Sequence, residues 1–114
     1  MLLMDYKKKK IEVDADGCLV RFEDWDEEVA RVLAAREGIA DLTEDRLNML
    51  RFIRDYYKTY DFFPIVSSIC KRVREPKDCV HEKFMNPLIA WKVAGLPHPE
   101  EPVVSLLKAG QSPG

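Results

Sequence analysis

The sequence predicts a mainly α fold: a small helical bundle with an N-terminal β-hairpin and an extended C-terminal arm. Three observations carry this. Apolar residues recur at helical spacing through successive stretches, and a capping residue or a proline opens each of them. Ile11-Glu12-Val13 alternates in polarity and is followed by the turn-forming Asp14-Ala15-Asp16-Gly17, after which residues 18–22 can return antiparallel. After Gly95, prolines at 97, 99 and 102 punctuate a stretch that reaches Gly114 without a cysteine.

The elements follow in order. Residues 1–10, with four lysines at 7–10, read as a flexible N-terminus that leads into the hairpin. Asp24 suits the N-cap of a first helix, with Glu27 three residues on in a capping-box pattern. Trp25, Val29, Val32 and Leu33 form its buried stripe, and Gly38 ends it. Thr43 caps a second, longer helix with Glu44 and Asp45 in its first turn. Leu47, Leu50, Ile53, Tyr57 and Tyr60 share one side, while Arg46, Arg51, Arg54, Asp55 and Lys58 occupy the others. Pro64 opens a third helix, which places Val66, Ile69, Cys70 and Val73 on an apolar face and ends by Pro76. Asp78 caps a short element to about Phe84. Asn86-Pro87 is an N-cap and N1 pair for a last helix that Gly95 stops.

Length and composition bound the function. A chain of 114 residues is one domain, large enough to bury a core without staples. Hydrophobic residues make up 46% and charged residues 33%, which excludes a disordered chain. The net charge of -2 gives no bulk attraction to nucleic acid or to an anionic membrane. The three cysteines, Cys18, Cys70 and Cys79, are irregularly spaced, so neither a disulfide framework nor a zinc site is expected. A reducing cytoplasm is the simplest location. The N-terminus lacks a signal-peptide pattern, and no apolar run reaches membrane-spanning length.

The ordered set of motifs resembles a known family. The hairpin with Asp16-Gly17, Asp24-Trp25 opening a helix, Leu42-Thr43-Glu44-Asp45, Phe52-Ile53-Arg54-Asp55-Tyr56-Tyr57, Pro64 and Ala94-Gly95-Leu96-Pro97-His98-Pro99 occur in the order found in the DsrC/TusE family. That family comprises the gamma-type protein of dissimilatory sulfite reductase and its sulfur-relay relatives. The resemblance spans roughly residues 11–99 as a domain, with 100–114 as the arm. It implies a helical fold with a hairpin and a flexible arm, no cofactor, and a role as sulfur carrier or partner protein rather than conventional enzyme. The implied partners are sulfur-relay or sulfite-reductase-type proteins, with no small-molecule substrate of its own. The resemblance also implies a thiol at the penultimate arm position and, in sulfite-reductase partners, a second one before the Ala-Gly-Leu-Pro motif. Here the first of those places falls close to Pro102, and Trp91 stands at the second in an ungapped reading.

Three alternatives follow from the residues. Cys70 reads as a buried thiol and Cys18 as half-buried. Cys79, beside Lys77 at the start of a short helix, is the best placed of the three to be a reactive sulfur-carrying thiol. His81 near it makes only half a metal site, so no metal is expected. The corner around Phe62-Phe63-Pro64 could form a helix-turn-helix-like DNA-binding unit, with Lys71, Arg72 and Arg74 as nucleic-acid contacts. The arm, through Pro97, His98, Pro99, Val103 and Leu106, is the candidate partner-binding segment. Its apolar residues 103–107 favour docking on a groove over exposure to water. Gly110 to Gly114 read as a frayed end.

Overall fold

The computed structural model describes residues 2–6 and 9–108. Lys7 and Lys8 of the lysine run and the expected frayed end at 110–114 lie outside the described residues. The chain opens with strands β1 (Leu2–Tyr6) and β2 (Lys9–Val13), paired antiparallel with Leu2 opposite Val13 and Tyr6 opposite Lys9. Six helices follow: α1 (Glu27–Arg36), α2 (Glu44–Tyr60), α3 (Val66–Arg72), α4 (Cys79–Phe84), α5 (Pro87–Val93) and α6 (Glu101–Lys108). The fold is therefore the expected hairpin and helical bundle.

The hairpin itself is displaced from where the alternation suggested. Leu2–Tyr6 is a strand rather than part of a flexible lead-in. The turn at 14–17 does form: Asp14 Oδ1 accepts from the amides of Asp16 (2.9 Å) and Cys18 (3.0 Å), and Gly17 sits at φ +88°. What returns from it makes only a single bridge, Val13 to Leu19, before the chain coils into a 3-10 turn at Phe22–Asp24. Ile11, Val13 and Leu19 are buried against Val29 and Leu33 of α1, so the base of the hairpin is held by side-chain burial.

Caps decide most helix starts. Asp26, not Asp24, caps α1, accepting from the Val29 amide at 2.8 Å. Two acids at i and i+2 offered the same chemistry, and the 3-10 turn consumed the first. Thr43 caps α2 through the Arg46 amide (3.3 Å), and Asn86 caps α5 through the Ile89 amide (3.0 Å). Pro64 precedes α3 by two residues instead of opening it. Leu47, Leu50 and Ile53 of α2 are buried with Ile69, Phe84, Val93 and Leu96 in the main core, whereas Tyr60 stands exposed. No helix of the described residues is long and apolar enough to cross a membrane.

Two expectations about the cysteines and the arm are overturned. Cys70 and Cys79 are joined in a disulfide, with Cα atoms 5.7 Å apart, where independent thiols were expected. The last turn of α3 and the first residue of α4 are brought together by the intervening loop, which spacing alone did not reveal. Closing a loop of sequence separation 9 stabilises by ~2.5 kcal/mol through the unfolded state. Differential scanning calorimetry should therefore place the Cys70→Ala/Cys79→Ala variant about 10 °C below the parent. The arm is not extended over 101–108 but forms α6. Pro102 occupies its first turn, where a proline is tolerated. Leu107 is fully buried, and Val103 and Val104 pack on the core.

Candidate functional site: the arm root and the three cysteines

The helix α5 ends at Val93, and the chain turns through Ala94 and Gly95, the latter at φ +74°. Three carbonyls along this turn are held by side chains. Trp25 Nε1 donates to the Val93 oxygen (2.9 Å), Arg54 Nη1 to the Ala94 oxygen (2.9 Å) and Trp91 Nε1 to the Pro97 oxygen (2.7 Å). Arg54 uses its other nitrogen, Nη2, for the Phe22 oxygen (2.9 Å). Its guanidinium lies 3.8 Å from the Phe22 ring centroid and 4.5 Å from that of Trp25. Burial lowers the pKa of Arg54 to about 10, since its ligands are neutral carbonyls and rings instead of a carboxylate.

Trp91, where the resemblance would place a second thiol, is instead a packing anchor. It stacks on Phe63 at 5.4 Å and meets Tyr57 edge-on at 6.1 Å. Leu96 is fully buried. Beyond it, His98 Nε2 reaches Asp16 Oδ2 at 2.6 Å, which ties the arm to the 14–17 turn. That hydrogen bond raises the His98 pKa above its ordinary value, against a smaller effect of burial.

The thiol chemistry is closed at each position. Cys79 is fully buried and bonded to Cys70, so the best-placed candidate thiol of the sequence is neither free nor accessible. Cys18 is buried, not half-buried. Burial pushes its pKa up to about 12, helped by the Asp14 carboxylate. It borders a cavity of about 120 Å³ beneath α6, lined also by Leu88, Lys92 and His98. Lys92 is paired there with Glu37 at 3.4 Å.

The other predicted residues divide. Pro97, His98 and Pro99 form the arm root, with His98 exposed and Pro99 buried. Val103 faces the domain's own core, while Leu106 faces solvent. Arg72 and Arg74 line a cleft with Asn48, Arg51 and Phe52, which Lys71 does not join. Sequence reasoning missed Arg54, assigned to a polar flank, and Asp16, assigned only to a turn. Arg54 follows Ile53 and stands four residues after Leu50, both core residues, and that position was the available signal.

Comparison with known proteins agrees with this geometry. Residues 5–103 match the family described as DsrC like protein. The gamma subunit of dissimilatory-type sulfite reductase from Nitratidesulfovibrio vulgaris is 38% identical over 101 residues, covering 87% of this chain and 96% of the relative. Sulfurtransferase TusE of Photorhabdus laumondii is 32% identical over 108 residues, again with 87% and 96% covered. The crystal structure of the oxidized gamma subunit (DsrC) from Archaeoglobus fulgidus superposes with a TM-score of 0.75 at 32% identity, covering 87% of this chain and 97% of that one. With the hairpin, the bundle and the Ala94-Gly95-Leu96-Pro97 turn accounted for residue by residue, the chain belongs to the DsrC family.

Proposed function

We propose that this chain works by binding sulfur-relay or sulfite-reductase-type proteins, without carrying sulfur itself. It would occupy a partner surface that a thiol-bearing relative otherwise uses, and so regulate that relative. The observation that carries the reading is the state of the cysteines. Sulfur transfer requires a thiolate that can attack a sulfane sulfur. Cys70 and Cys79 share a buried disulfide. Cys18, whose pKa burial pushes up to about 12, is held as the thiol at neutral pH. Pro102 stands close to where the family resemblance expects the carrier thiol, and α6 folds that segment back onto the domain.

The test has two arms. Glutathione persulfide is incubated with the folded protein, and intact mass is measured. The expected result is no added sulfur on the parent chain. In Pro102→Cys, the new thiolate attacks the outer sulfur of the donor, the donor's S–S bond breaks, glutathione thiolate leaves and the cysteine becomes a persulfide; one added sulfur per chain is expected. Sulfur on the parent would overturn the non-carrier reading. Separately, immobilised parent protein should retain a purified sulfur-relay complex or a purified dissimilatory sulfite reductase. Failure to retain either would overturn the binding role.

A further inference from the structure

The cleft between α2 and the end of α3 has a volume of about 340 Å³ and is lined by Asn48, Arg51, Phe52, Asp55, Arg72 and Arg74 among others. Arg51 is already committed: it pairs with Glu44 at 3.0 Å and with Glu27, and it donates to Asn48 Oδ1 at 2.8 Å. It forms a fixed wall of the cleft. The side chains of Arg72 and Arg74 have no carboxylate or hydrogen-bond partner among the described residues. Arg51 already carries two glutamates and adds no free charge, so what the cleft offers to phosphate oxygens is the pair of uncommitted guanidiniums of Arg72 and Arg74, with Asp55 the one acid of the lining itself.

The backbone adds a second observation. Arg74 sits at φ +59°, just past the end of α3, where its amide meets the Lys71 oxygen (3.2 Å) and the Glu75 amide meets the Cys70 oxygen (2.8 Å). Glycine is the stable residue for such a helix-ending position. An arginine there costs stability and aims a cation at the cleft instead.

A third observation concerns rings. Phe52, in the wall of the cleft, begins a row with Tyr56 and Tyr60 along α2. The centroids lie 6.1 Å and then 4.6 Å apart, and Tyr60 is 61% exposed. A row of aromatic rings leading out of a cleft with two uncommitted guanidiniums has the two components of a single-strand binding surface: cations for the phosphates and rings on which unpaired bases stack. A paired duplex keeps its bases stacked on one another and has no use for the row.

We propose that the cleft and the aromatic row of α2 bind single-stranded nucleic acid, with backbone phosphates on Arg72 and Arg74 and bases on Phe52, Tyr56 and Tyr60. The surface contains none of the cysteines and no residue of the arm root, so it stands or falls apart from the sulfur-carrier question.

Filter binding of radiolabelled oligouridylate to the full chain tests it. Retention at low salt is expected, with a slope of log affinity against log salt of about -1.4 for two phosphates, and about -0.7 after Arg72→Gln. Tyr60→Ala should weaken binding about tenfold, by loss of one stacked base. Arg74→Gly separates folding from binding: it should melt no lower than the parent and yet bind severalfold more weakly. The same strand annealed to oligoadenylate should be held at least tenfold less well. Absence of retention at low salt, indifference to Arg72→Gln and Arg74→Gly together, or equal affinity for the duplex would each overturn the proposal.

Discussion

Gly95→Ala is expected to lose about 4 kcal/mol of stability. A Cβ at this position would stand 2.4 Å from Trp25 Cδ1, 3.0 Å from Trp25 Cγ and 3.1 Å from Leu19 Cδ2. The indole cannot move aside without cost, because its N–H is bonded to the Val93 oxygen and Arg54 lies against its ring. Left-handed φ at a residue with a Cβ costs about 1 kcal/mol, forced repacking about 2 more, and loss of the indole hydrogen bond about 1. Gly38→Ala is the internal control. Gly38 also has positive φ, +88°, but nothing lies within 4 Å of its added Cβ, so only the backbone cost of about 1 kcal/mol applies. Urea titration of both variants, with unchanged m-values, measures the difference. Equal losses at the two sites would show that Trp25 does not enforce the glycine.

Arg54→Leu should lose about 3 kcal/mol, because a single guanidinium holds two carbonyls from distant parts of the chain. Without it the Ala94 and Phe22 oxygens have no donor from α2. Hydrogen bonds from a charged donor contribute about 1.5 kcal/mol or more each, and the cation–ring contact adds to them. The half-buried cation offsets part of this by its own desolvation, which its lowered pKa records. Arg54→Lys should recover less than half of the loss, since a point-charge ammonium cannot span two acceptors held in a fork. Denaturation measures the total. Hydrogen exchange at the Gly95 and Leu96 amides localises it, and protection there as high as in the parent would place the loss elsewhere.

The sequence was most readable where one residue type has one local use. Thr43, Asn86-Pro87 and Gly95 mark ends that the chain observes. Leu47, Leu50 and Ile53 gave the core face of α2 by period alone. Reading failed where the deciding contact is long-range. Asp24 and Asp26 are equivalent as letters, and only the 3-10 turn before them selects the second. Leu2–Tyr6 becomes a strand because β2 is there to pair with it. The prolines of the arm suggested extension, yet Val103, Val104 and Leu107 fall on one side of a helix once Pro102 is placed in its first turn. The bond between Cys70 and Cys79 and the role of Arg54 depend on elements brought together by folding, and no local pattern announces them.

The arm root also holds both tryptophans of the chain. The indole of Trp25 is fastened to the residue just before the Ala94-Gly95 turn, and that of Trp91 to the proline just after Leu96. Tryptophan emission, excited selectively over that of the four tyrosines, therefore comes wholly from the two flanks of this one joint. A partner that prises the segment away from the bundle would shift the spectrum to the red with no dye attached, whereas one that settles elsewhere on the surface would leave it unaltered.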